Sequence, residues 1–81
     1  MSRPAPDQAA LGRAVRAIRE ERGLSQMQLA EMTGLMQSYV SQVERGRRNP
    51  SWSNVGRLAE GLGVSVSTLA AWAEAPDDTS A

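Results

Sequence analysis

The 81-residue chain has no cysteine and no histidine, and these two absences remove more chemistry than any other feature of its composition. Disulfides, thiolate metal sites and a thiol nucleophile are excluded together, as is imidazole acid-base or metal chemistry. Serine, arginine and carboxylates remain, and they form no recognisable nucleophile or metal constellation; Glu20 and Glu21, on adjacent helix positions, cannot converge on one site. An enzyme is therefore not expected, and no cofactor or metal is implied. No apolar run reaches the length of a membrane span, and Met1 to Pro6 lacks the apolar stretch of a signal peptide, so the expected location is the cytoplasm. A chain of this size supports one domain and leaves no room for a separate sensor.

Lysine is missing too, and every basic residue is arginine. The formal net charge is zero, which taken alone speaks against a polyanionic partner. The charge is nevertheless polarised along the chain. Residues 1–48 hold eight arginines (Arg3, Arg13, Arg16, Arg19, Arg22, Arg45, Arg47 and Arg48) against five acids, a surplus of three positive charges. The remainder sets Arg57 against Glu60, Glu74, Asp77 and Asp78. Such a chain can present a basic face, or merely scatter charge over its surface.

Alternating β-branched runs are absent, so the fold class is all-α, a compact five-helix domain. Asp7 caps a first helix from Gln8 to about Arg22, with Leu11, Val15 and Ile18 as its apolar stripe and Gly23 as its stop. Ser25 and Gln28 form a capping box for a second helix that ends at Gly34. A third runs from Met36 or Gln37 to Arg45, stopped by Gly46, with Val40, Val43 and Glu44 inward. After the Asn49-Pro50 break, Ser51 caps a fourth, whose predicted stripe is Trp52, Val55, Leu58, Ala59 and Leu62. Gly63 closes it, and Ser65 caps a fifth to about Glu74 bearing Val66, Leu69 and Trp72. The domain is thus expected over 7–75, between a disordered arm, 1–6, and a disordered tail, 76–81.

Arg19 falls on the first helix's apolar stripe. An unpaired buried charge would cost several kcal/mol, roughly, so it needs a carboxylate, and Glu44 is the obvious one. The alternative is that both side chains reach solvent.

Residues 26–45 read as two helices joined by a short turn at Gly34, a helix-turn-helix unit. A generic helical bundle would show the same apolar contacts. The outward face of the third helix distinguishes the two. Gln37, Ser38, Ser41, Gln42 and Arg45 make one continuous side of a helix about 13 Å long, a match to a DNA major groove. Glutamine pairs with adenine and arginine with guanine, whereas a merely solvated face more often carries glutamate and lysine. Gln37, Ser38, Ser41 and Gln42 are accordingly the candidate base-reading residues. Arg45, Arg47, Arg48 and Asn49, with the Tyr39 hydroxyl at the groove edge, are candidates for the sugar-phosphate backbone.

With those residues in view, the stretch GLSQMQLAEMTGLMQSYVSQVERGRRNPSWSNVGRLAEGLGVS, Gly23 to Ser65, resembles the Cro/cI-type or Xre family of lambda-repressor-like helix-turn-helix transcription regulators. The motifs LSQ-x-x-LA, TG-x-x-x-SYVSQVERG and the R-x-NPS turn carry the likeness. The resemblance implies a five-helix fold, a repressor or autoregulator acting as a homodimer on a pseudopalindromic operator in double-stranded DNA, and base contacts from Gln37, Ser38 and Gln42. It also implies that Gln26 grips backbone phosphate. One position departs from the pattern: Met36 stands where the family commonly has a Ser or Thr cap. Either the helix tolerates a poor cap, or Met36 lies on the DNA as a thymine-methyl contact.

Pairing two modules on successive half-sites needs an interface, for which Val64 and Trp72 are candidates, although Trp72 can equally cover the core beside the first helix. The competing reading is a protein-interaction module such as an antitoxin, with Met27, Met32 and Met36 as an adaptable surface for a protein partner.

Overall fold

The computed structural model describes residues 6–75; the expectations for the two chain ends concern residues outside that range, Pro6 excepted. Five helices follow in order, α1 (Gln8–Glu21), α2 (Gln26–Thr33), α3 (Gln37–Glu44), α4 (Trp52–Leu62) and α5 (Val66–Glu74), with no strand among the described residues. Their starts are chemical. Asp7 Oδ1 accepts the Ala10 N–H at 2.9 Å, Ser25 Oγ and the Gln28 side chain form a reciprocal capping box, and Ser51 and Ser65 accept from the N–H groups of Asn54 and Thr68. Only α3 begins without a side-chain cap, because Met36 has no oxygen to offer.

One core joins all five helices. Val15, Ile18, Leu29, Val40, Val43, Leu58, Leu62 and Leu69 are fully buried, and Leu11, Leu35, Tyr39, Val55, Val64 and Val66 pack at its margin. α1 lies against α3 and α5, while α2 packs on α3 and α4. Trp52 does not join this core: it is 77% exposed. Helical periodicity places it on one face with Val55 and Ala59, but it occupies the first residue of α4, with no preceding helical turn beside it.

Gly12 sets how closely α1 and α3 approach. A Cβ there would collide with the carbonyl oxygen of Val43 and stand 2.7 Å from that of Glu44, so the backbone at the end of α3 rests directly on α1. The position of α3 is thereby fixed from below, and its opposite face is left free.

Candidate nucleic-acid interface

α3 presents two chemically different sides. Val40 and Val43 are buried, while Gln37, Ser38, Gln42 and Arg45 are exposed and Ser41 is half-buried. The turn before it is made by Gly34, whose φ of 73° lies in the left-handed region that costs a side-chain-bearing residue about 1 kcal/mol or more. That turn sets α3 across α2.

Glu44, the only acid between Gly34 and Trp52, is turned inward with its side chain 3% exposed. Arg19 Nε donates to Oε2 at 2.6 Å and Nη2 to Oε1 at 3.0 Å, a two-point pairing in which every oxygen has a partner. Arg19 Nη1 also donates to the Leu24 carbonyl at 2.8 Å, so a single guanidinium ties α1, the link to α2 and α3. The hydrogen bond to Glu44 raises the guanidinium's affinity for its proton above the ordinary arginine value, burial opposes this, and the nearby charges of Glu44 and Glu20 add to the rise. The result is an outward face on which no negative charge is displayed.

Gln26 adds a contact that spacing does not predict. Its Nε2 donates to Glu44 Oε1 at 3.1 Å, so the side chain is half-buried and engaged by the same carboxylate as Arg19.

Beyond α3, Arg45, Arg47, Arg48 and Asn49 are all exposed. Arg48 is held on two sides. Its Nε donates to Gln42 Oε1 at 3.1 Å, and its guanidinium carbon lies 5.1 Å from the centroid of the Tyr39 ring, within range of a cation-π contact. Tyr39 is half-buried, and its hydroxyl accepts from Asn54 Nδ2 at 3.0 Å. The residues 42, 48, 39 and 54 thus form one chain from α3 through the loop to α4. Sequence reading found three of them singly and none of the links, since nothing in the spacing of Tyr39 and Asn54 marks them as partners.

Met36 is 74% exposed at the start of α3, and Met27 and Met32 are 55% and 58% exposed on α2. Trp72 is 40% exposed, and Val64 is half-buried against the core. Among the described residues no group of three or more His, Cys, Asp or Glu could hold a metal ion, and no helix is long and apolar enough to cross a membrane.

Two short helices crossed at a left-handed glycine, the second with a buried inner side and a polar, acid-free outer side, define a helix-turn-helix module. The chain belongs to the helix-turn-helix domain family, whose family model matches residues 10–72. It is 46% identical over 59 residues to the immunity repressor protein of Bacillus phage phi105, an alignment covering 73% of this chain and 41% of the repressor. The chain therefore spans less than half the length of that relative. Among solved structures, the restriction-modification controller protein C.AhdI from Aeromonas hydrophila superposes with a TM-score of 0.75 at 42% identity, over 76% of this chain and 94% of that one. The controller protein C.Esp1396I, solved as a tetramer in complex with its natural 35 base-pair operator, gives a TM-score of 0.77 at 27% identity over 82% and 87% of the two chains.

Proposed function

We propose that this chain is a sequence-specific double-stranded DNA-binding transcription regulator, a repressor or autoregulator, that acts as a homodimer on a pseudopalindromic operator in the cytoplasm and carries out no catalysis. The observation that carries the reading is the outer side of α3: exposed amides and arginine, with the sole acid of the segment turned inward and neutralised. Eight helical residues span about 12 Å, close to the width of the major groove. The named relatives, a phage immunity repressor and controller proteins of which one is held on its operator, support the same reading.

In this assignment Gln37, Ser38, Ser41 and Gln42 face base edges, and Met36, standing proud at the helix start, reaches a thymine methyl. Arg45, Arg47, Arg48 and Asn49 take the sugar-phosphate backbone, with Tyr39 at the groove edge. Gln26 meets phosphate only with the part of its amide that Glu44 does not engage. Trp72 is the principal dimer contact, with Val64 beside it.

Selection from random duplexes tests this directly. The expected product is one half-site, repeated with two-fold symmetry at a spacing of about one helical turn. Recovery of unrelated sequences, with retention that depends only on salt, would sink the reading. It would instead favour a protein-interaction module, for which the exposed Met27 and Met32 speak.

A further inference from the structure

A guanidinium can only donate hydrogen bonds, so the Gln42 atom facing Arg48 must be the carbonyl oxygen, and this settles which way the Gln42 amide is turned. Its Nε2 is then the branch of the amide that Arg48 does not engage, and it donates to no described residue. Arg48 itself is not free to wander, because the Tyr39 ring backs it and Asn54 fixes the far end of that ring. The order of restraint runs from half-buried Tyr39, through Arg48, to exposed Gln42.

On the reading that this chain is a sequence-specific DNA binder, we propose that Arg48 is a positioning residue for specificity: it holds Gln42 so that the amide offers N–H donors to an acceptor edge in the major groove, guanine N7 and O6. Adenine makes a different use of glutamine, Nε2 donating to N7 while Oε1 accepts from N6, and one of the two lone pairs on Oε1 is already taken by Arg48. Reading adenine would ask Oε1 to accept from Arg48 and from N6 at once, whereas guanine leaves that oxygen to Arg48 alone. The four N–H groups on Arg48 Nη1 and Nη2 remain available to a phosphate, so backbone contact and positioning are compatible roles with different signatures.

The experiment uses the wild type, Arg48→Met, Gln42→Met and the double variant, each put through selection from random duplexes and then competition binding. Gln42→Met identifies the base pair concerned as the one whose preference it abolishes. The wild type is expected to favour guanine over adenine there, and Arg48→Met to cut that preference about five-fold or more, the lower end of what one well-placed contact discriminates. In the Gln42→Met background, Arg48→Met should change discrimination no further, since it acts through Gln42. Uniform weakening by Arg48→Met on all sequences, with the guanine preference intact, would reduce Arg48 to a phosphate contact and overturn the proposal. So would adenine preference in the wild type, or a Gln42→Met variant that loses no preference anywhere. A wild type that selects no sequence at all would overturn the regulator reading itself.

Discussion

Glu44 shows how much one side chain is asked to do: it closes the core below α3 and removes the only acid from the face above. Deleting it leaves the Arg19 guanidinium buried with a single carbonyl, so Glu44→Ala should lower unfolding stability by about 3–5 kcal/mol, seen as a fall in the urea midpoint at unchanged slope. The pair Arg19→Met with Glu44→Leu should recover most of that loss, because the penalty lies in breaking a buried ion pair rather than in lacking one. An unshifted midpoint in Glu44→Ala would mean that the two charges reach water in solution. Arg19's proton affinity is raised by folding, so its share of the stability is fully present below the ordinary arginine range and fades only as pH climbs beyond it. Sequence alone suggested this partnership, since a charge on an apolar stripe demands an opposite one. The further use of Glu44 by Gln26 was not legible, because both readings of a glutamine at a helix start, inward and outward, fit the same spacing.

Glycines make a second residue-scale test, with opposite signs expected at two helical positions. Gly12→Ala drives a methyl into backbone oxygens that cannot move without displacing α3, and should cost about 2 kcal/mol net of the helix propensity gained. Gly56 lies inside α4 with nothing within 4 Å of where its Cβ would sit, so Gly56→Ala should stabilise by about 0.5–1 kcal/mol. Thermal melts separate them, by about 4–8 °C per kcal/mol in a domain of this size. A Gly12→Ala melt that rises, as Gly56→Ala should, would contradict the packing of α1 on α3. A glycine inside an amphipathic helix was the only hint in the sequence, and it does not tell close approach from open space.

For the elements, boundaries came from caps and membership from periodicity, and the two were not equally informative. Asp7, Ser25, Ser51 and Ser65 mark helix starts because each meets an amide that nothing else satisfies. Periodicity assigns a face but not the extent to which that face is covered, so Trp52 shares the stripe of α4 and yet stays out of the core. α3 is the element without a cap. Met36→Ser should supply one and stabilise the domain by about 1 kcal/mol in a denaturant titration. The same variant reports on function: if Met36 touches a thymine methyl, discrimination at one A·T position drops while the fold improves. Unchanged discrimination everywhere would leave Met36 as a poor cap and nothing more.

At the scale of the whole molecule, the proposed function asks how one small module could read an operator. A single recognition helix covers a few base pairs, and two held at fixed spacing gain affinity through effective concentration rather than through new contacts. A surface that paired two copies in the proposed dimer would have to lie away from α3 and be more apolar than solvent favours. α5 meets the second condition, since Trp72 keeps 40% of its surface exposed although the helix packs on α1 and α4. Val64 is different: it is half-buried against the same core, so its truncation mixes folding with association. Trp72→Ala is therefore the cleaner probe, with a dimer Kd expected to rise about 30-fold or more if the indole is an interface anchor. Sedimentation reads that directly, and operator affinity should fall in parallel while the sequence preference within each half-site stays the same. A Trp72→Ala protein that remains wholly dimeric but melts earlier would place the indole over the seam between α1 and α5 and send the search for the interface to another face.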